Sequence, residues 1–224
     1  MLPMYQDLTP ARESIGSAIV EVCRMLSANR LVVATDGNVS ARLPSGKILI
    51  TRSGINKGIV SETDLVEVGI DGTGGQQRPT TEIRMHLSVY KSRKDVHAVV
   101  HAHPPFATAF AVAGISLDRP VLPEVTVGLG SIPLAAYATP STDEVADSLA
   151  PFVERHDAIL LANHGVITFG PDVLDAYFKM EKVEHFAEVM YRARLLGGVR
   201  ELSDDDLARL RAVAPSSYGK ESKG

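Results

Sequence analysis

The sequence has little of several features that would place it in a special class: cysteine, long apolar runs, excess positive charge and a basic leader. Cys23 is the single cysteine, so no internal disulfide can form, and its helical apolar setting favours a structural thiol over a nucleophile. No run approaches the length of a membrane helix, and the first residues lack the basic-then-apolar order of a signal peptide. A net charge of −4 argues against a nucleic-acid or membrane-surface partner. We therefore expect a cytoplasmic protein.

What is present is ordinary globular composition, 45% hydrophobic and 22% charged over 224 residues, with no internal repeat or linker. This predicts one domain over residues 1–224. Helical apolar spacing predicts helices beginning near Thr9-Pro10, Pro79 and Asp172, and the capping box Ser141–Glu144 predicts one reaching about His156. Short strands separated by turn residues lie between them, and Asp71-Gly72 is typical of a hairpin. The pattern predicts an α/β sandwich with a mainly antiparallel sheet.

The most informative stretch is the apolar run that carries His101 and His103 and then stops at prolines. Because side chains alternate between the faces of a strand, these two histidines point the same way, about 6.5–7 Å apart along the chain. A third, His164, follows another apolar run and precedes Gly165. Imidazole is the commonest metal ligand in proteins, so the spacing indicates a chelate. The alternative is that these are unrelated strand-end histidines with ordinary hydrogen bonds.

Three polar turns have features of an anion site: Gly37-Asn38, Ser53-Gly54 and Thr80-Thr81. The first two can present backbone N–H groups, and the third opens a helix, whose N-terminus favours negative charge. Each signal is weak alone, since a hairpin turn or an N-cap explains it equally well. Glu82 follows in the first helical turn, where a carboxylate can lie near the histidines. Glu82 and His86 also share one helical face as a rival metal pair, and spacing does not choose between the sets.

Five motifs in order resemble the class II aldolase/adducin family, particularly its L-fuculose-1-phosphate aldolase branch: Gly37-Asn38-Val39-Ser40, Ser53-Gly54, Pro79-Thr80-Thr81-Glu82, His101-Ala102-His103 and Asn163-His164-Gly165. The likeness extends from the first helix to about Leu196. It implies a three-layer sandwich, with a central antiparallel sheet between helical layers. It also implies a homotetramer with active sites at subunit contacts.

The resemblance further implies that one Zn²⁺ per chain is bound by His101, His103 and His164. Glu82 is then the acid/base and can take the fourth metal position, while His86 is structural. The phosphate of a phosphorylated sugar substrate is bound by Gly37, Asn38, Ser53, Gly54, Thr80 and Thr81. The implied reaction is cleavage of a phosphorylated ketose to dihydroxyacetone phosphate and an aldehyde.

Some positions depart from the family pattern. Thr80-Thr81 replaces the usual pair of serines but keeps both hydroxyls. Glu124 stands where the fuculose enzyme has an aldehyde-side tyrosine, and Tyr218 is the candidate for a second tyrosine of the C-terminal tail. Asp36 and Lys57 flank the phosphate turns and are interpreted as surface residues.

Other activities of the family remain open. Pentulose-phosphate 4-epimerases have aspartate in place of Glu82, which favours an aldolase. Glu82 does not exclude a methylthioribulose-phosphate dehydratase or a decarboxylase. A non-catalytic adducin-type binding module is disfavoured, because a scaffold has no reason to retain buried metal ligands.

Overall fold

The computed structural model describes residues 12–75 and 77–218, with the backbone alone given for residues 214–218. The N-cap predicted at Thr9 lies outside these residues. The helices are α1 Arg12–Ala28, α2 Ile83–Ser92, α3 Pro105–Val112, α4 Pro123–Gly128, α5 Glu144–Leu149, α6 Val173–Leu195 and α7 Asp204–Tyr218. The strands are β1 Asn38–Arg42, β2 Ile48–Thr51, β3 Leu65–Val68, β4 Ala98–Ala102, β5 Leu134–Ala135, β6 Ala158–Leu161 and β7 Gly165–Gly170. None of the described helices combines the length and apolarity needed to cross a bilayer.

The seven strands form one open sheet in the order β3-β2-β1-β4-β7-β6-β5. Every neighbouring pair is antiparallel except β5 and β6, which run parallel at one edge. Most strands are short and wholly buried, because both faces of the sheet are covered by helices. The predicted sandwich with a mainly antiparallel sheet is confirmed.

Alternating strand residues supply two separate cores. Val100 and its same-face neighbours pack with α1, α3 and α6, whereas Val99 and Ile167 on the opposite face pack with α2 and α5. The period of two in the strands therefore builds three layers. The same alternation directs His101, which lies two residues from Val99, to the α2 side of the sheet.

Two local predictions were wrong. Asp71-Gly72 forms a turn, but β3 has already ended at Val68, and the described residues directly after the turn form no paired strand. The helix predicted from Ser141 to about His156 is only Glu144–Leu149. Its N-cap position, Asp143, makes no side-chain capping bond. Pro151 then follows and has no N–H to extend the helical ladder.

Candidate metal centre and active site

The sheet delivers the first two histidines at the end of β4. His101 is opposite Asn38 of β1 on one side and Ile167 of β7 on the other, and it is fully buried. His103 lies just beyond the strand, where its backbone N–H donates to the carbonyl of Leu31 at 3.0 Å. That bond ties the chain after β4 to the segment following α1.

The third histidine is placed by the tight turn between β6 and β7. Asn163 adopts the left-handed conformation (φ 56°), which asparagine tolerates better than most residues, and His164 follows it. A Cβ at Gly165 would lie 2.5 Å from both the Ala102 carbonyl oxygen and Cδ2 of His103. Glycine is required there because β7 approaches the end of β4 so closely.

The three imidazoles meet around one point. Ring centroids are 4.7–5.1 Å apart, and one nitrogen from each ring lies within 4.8 Å of the others. The Nε2 atoms of His101 and His103 are 3.1 Å apart. This is close to the edge of a tetrahedron with metal–nitrogen bonds of about 2.0–2.1 Å, which is about 3.3 Å.

Glu82 completes the group from the helical layer. It occupies the N-cap position of α2, directly before the first helical residue, rather than the first turn as predicted. One carboxylate oxygen lies 3.1 Å from Nε2 of His164, and the other lies 3.3 Å from Nε2 of His101. Asn38 Nδ2 donates to the second oxygen at 2.9 Å. Burial raises the pKa of Glu82, but these contacts with His101, His164 and Asn38 outweigh burial and hold the pKa well below its ordinary value.

The chemistry of these donors fits a cation at their centre. His101 Nδ1 lies 2.9 Å from the Val166 carbonyl and must donate its hydrogen there, which leaves Nε2 as the nitrogen available to a metal. Burial, with the neighbouring His101 and His164, lowers the pKa of His103 to about 4, which keeps that ring neutral at pH 7. Three imidazole nitrogens and a carboxylate therefore converge on one point. A divalent cation satisfies all four groups, and three histidines plus one further ligand is a zinc-type set.

The three candidate anion turns lie at this same end of the sheet. Gly37 leads into β1, Ser53 follows β2, and Thr80 N–H donates to the Thr51 carbonyl at 3.1 Å. An isolated bridge between Arg52 and Pro79 holds the last two turns together. Gly37 has a φ of 72°, and a Cβ there would lie 2.8 Å from the His101 carbonyl oxygen, so this turn packs directly on the histidine strand.

The interpretation of Lys57 as a surface residue was wrong. Lys57 is only 2% exposed, and its Nζ donates to the carbonyls of Thr35 at 2.9 Å and Ile55 at 2.7 Å. One ammonium thus joins the segment before Gly37 to the segment after Gly54. Asp36 is half-buried, with a carboxylate oxygen 3.4 Å from Nδ1 of His103, where it can orient that imidazole.

The rival pairing of Glu82 with His86 is not seen. His86 is fully buried, with Nδ1 2.7 Å from Ser40 Oγ and Nε2 hydrogen-bonded to Asn38 Oδ1, so both ring nitrogens have other partners. Burial above all lowers the pKa of His86 to about 3, and the ring is neutral. Tyr90 extends the network by hydrogen-bonding Ser40 Oγ at 2.8 Å. The spacing of Glu82, His86 and Tyr90, four residues apart each time, was the sequence signal for this network.

Of the two aldehyde-side candidates, only Glu124 has a described side chain, and no described contact joins it to the histidines. Glu124 is exposed in α4, where its backbone carbonyl lies 3.5 Å from Lys182 Nζ, and α4 packs against α7. Tyr218 is the last residue of α7, and its side chain lies outside the described residues. Both assignments stay predictions.

Comparisons with known proteins identify the family of this chain. The family model described as "Class II Aldolase and Adducin N-terminal domain" matches residues 17–191. An L-fuculose phosphate aldolase of Methanococcus maripaludis is 33% identical over 81% of this chain and 98% of the relative. A 3-oxo-tetronate 4-phosphate decarboxylase of Escherichia coli is 29% identical over 92% of this chain and 99% of the relative.

Solved structures give the same result. The crystal structure of L-fuculose-1-phosphate aldolase from Thermus thermophilus superposes with a TM-score of 0.76 at 33% identity, covering 86% of this chain and all of that one. The family match covers residues 17–191, a range that includes all three histidines and Glu82. The chain therefore belongs to the class II aldolase and adducin N-terminal domain family.

Proposed function

We propose that this protein is a zinc-dependent aldolase that cleaves a phosphorylated ketose to dihydroxyacetone phosphate and an aldehyde. The observation that carries the proposal is the position of Glu82. Its carboxylate lies against His101 and His164 on one side, and it stands beside the turns able to bind a phosphate. A carboxylate between a cation site and an anion site is suited to handle a proton on a small phosphorylated substrate.

His101, His103 and His164 would hold the metal, with Glu82 as a fourth ligand before substrate binds. A bound zinc ion supplies Lewis-acid polarisation of a carbonyl and stabilises negative charge on a neighbouring oxygen. Three neutral histidines leave the double charge of the ion available for this.

The protein side chains supply orientation and proton transfer. The N–H groups of the Gly37 and Gly54 turns, with the hydroxyls of Ser53, Thr80 and Thr81, would bind the phosphate and fix the sugar chain. Glu82 would deliver a proton to the carbon that becomes the hydroxymethyl group of dihydroxyacetone phosphate, and remove it in the synthetic direction. Asn38 holds that carboxylate by its 2.9 Å hydrogen bond.

A decarboxylase acting on a phosphorylated 3-oxo sugar acid is the second candidate. It is favoured by the match to the Escherichia coli decarboxylase, which covers more of this chain than the match to the Methanococcus aldolase does. Loss of carbon dioxide from a 3-oxo acid and aldol cleavage of a ketose both leave an enediolate. The same proton delivery by Glu82 serves either reaction. Epimerase and dehydratase activities have no such specific support.

The homotetramer with active sites at subunit contacts is part of the same proposal. Large apolar side chains are exposed along the later part of α6, including Tyr191 and Leu195, and also at Tyr137. Subunit contacts would cover such residues and can bring aldehyde-side groups from a second copy.

The test is a screen of phosphorylated ketoses and phosphorylated 3-oxo sugar acids with the metal-loaded protein. Release of dihydroxyacetone phosphate with an aldehyde from a ketose supports the aldolase. Release of carbon dioxide from a sugar acid, without ketose cleavage, replaces it with the decarboxylase. Equal turnover of unphosphorylated ketoses would contradict the phosphate assignment.

A further inference from the structure

A continuous row of hydrogen-bonded, buried polar side chains leads from Glu82 into the α2 side of the core. Asn38 Nδ2 contacts the carboxylate at 2.9 Å, and Asn38 Oδ1 contacts Nε2 of His86. His86 Nδ1 is 2.7 Å from Ser40 Oγ, which is 2.8 Å from the Tyr90 hydroxyl. All four side chains behind Glu82 belong to buried residues. The elements that supply them are β1 and α2, since Ser40 lies two residues after Asn38 on the same strand face.

The charge of Glu82 fixes the direction of every hydrogen bond in this row of side chains. An ionised carboxylate only accepts, so the amide nitrogen of Asn38 must face it and the amide oxygen must face His86. His86 must then donate from Nε2. Because the ring is neutral, Nδ1 has a lone pair and accepts from the Ser40 hydroxyl, which in turn accepts from Tyr90. The reverse orientation would put the Asn38 oxygen against the carboxylate.

We propose that His86 is a positioning residue, held as the Nε2–H tautomer, whose function is to lock the Asn38 amide with its N–H toward Glu82. This inference rests on the proposed role of Glu82 as the proton carrier. Without a donor at His86, the buried amide oxygen of Asn38 loses its partner, and the amide can shift or rotate away from the carboxylate. Glu82 would then lose a hydrogen bond that fixes its place beside the bound sugar, although no metal ligand has changed.

Two amide substitutions distinguish the positioning role of His86 from a role in packing alone. In His86→Gln the amide nitrogen reaches about as far as Nε2 and can still donate to Asn38, whereas in His86→Asn it reaches only as far as Nδ1. Both variants are neutral and both lose the imidazole. Thr168→Val is a control for loss of a buried hydroxyl, because Thr168 is fully buried and donates to the Ala176 carbonyl at 2.7 Å, in contact with α6 rather than the site.

The readout is hydrogen exchange at the hydroxymethyl carbon of dihydroxyacetone phosphate in heavy water, with metal content and unfolding free energy measured in parallel. We expect His86→Asn to lower the maximal exchange rate by about 10- to 100-fold, the effect of a misplaced catalytic group, with metal content unchanged. His86→Gln should keep most of the rate, and Thr168→Val should not change it. Equal rates in the two amide variants would overturn the inference.

A second measurement does not depend on activity. Ring ¹⁵N–¹H correlation spectra of the wild-type protein show which nitrogen of His86 carries the hydrogen. We expect the hydrogen on Nε2 and a bare Nδ1. The opposite tautomer would refute the inference, whatever the exchange rates are. Failure of the wild-type protein to exchange would refute the proposed function instead, and the tautomer then decides the orientation of Asn38 on its own.

Discussion

Replacing the buried Lys57 by methionine should lower the stability of the fold and also weaken phosphate binding. The loss of phosphate binding should be specific to this lysine. Its ammonium donates to the carbonyls of Thr35 and Ile55, so Lys57→Met leaves two backbone acceptors without their donor. Each orphaned buried acceptor costs about 1–3 kcal/mol. Burial lowers the pKa of Lys57, so the charge is desolvated and its removal returns part of that energy. The net loss of unfolding free energy should be about 1–3 kcal/mol.

The two anion turns that Lys57 connects should also separate, and a nearby positive charge is lost. We expect the KM for dihydroxyacetone phosphate in the exchange assay to rise about 10-fold, equivalent to about 1.4 kcal/mol, with metal content unchanged. Lys179→Met is the matched control, since Lys179 is another buried lysine but is paired with Asp157 and Asp175. It should destabilise the protein without raising this KM. An unchanged KM in Lys57→Met, or an equal rise in both variants, would refute the reasoning.

Three further predictions follow from other contacts. His103→Ala should lose nearly all bound zinc by metal analysis of the purified protein, because one of three convergent imidazoles is removed; unchanged zinc would refute the ligand assignment. Thr81→Ala should raise the KM for a phosphorylated ketose by the equivalent of about 1.5–3 kcal/mol, the usual value of a hydrogen bond to a charged group, while zinc stays bound. The Lys179 and Arg93 side chains outweigh burial and hold the pKa of Asp157 below its ordinary value. This carboxylate therefore contributes stability above about pH 4 that is lost as pH falls further, and Asp157→Asn should lower unfolding free energy at pH 7 more than at pH 3.

Most of the fold could be predicted from the hydrophobic periods of strands and helices. The apolar run that carries His101 predicted a strand correctly, and the helix predicted to begin near Asp172 is α6, with Asp172 as its N-cap. Capping signals alone misjudged α5, because Pro151 ends that helix whatever begins it. The order of the strands in the sheet could not be predicted, because the pairing of β1 with β4 depends on contacts between residues distant in sequence.

The site was predictable where its residues share one element or a family motif. His101 and His103 were paired by their spacing, while the approach of His164 depends on how β7 pairs with β4. The role of Lys57 was missed because a lysine in a turn is usually exposed, and nothing local indicates that two carbonyls from separate turns surround it. The place of Asn38 at the phosphate was implied by the family resemblance and stays a prediction, whereas the contacts of its amide with Glu82 and His86 were not predicted.

The central claim is that Glu82 moves a proton on the carbon of an enediolate, and exchange into dihydroxyacetone phosphate tests it without knowledge of the aldehyde. The zinc-loaded protein is incubated with this compound alone in heavy water, and its hydroxymethyl hydrogens are followed by NMR. The account predicts stereospecific loss of one of the two hydrogens, and suppression by about 100-fold or more in Glu82→Gln, the usual weight of general base catalysis, with zinc still bound. Retention of both hydrogens by the zinc-loaded wild-type protein, or exchange at an equal rate in Glu82→Gln, would contradict it.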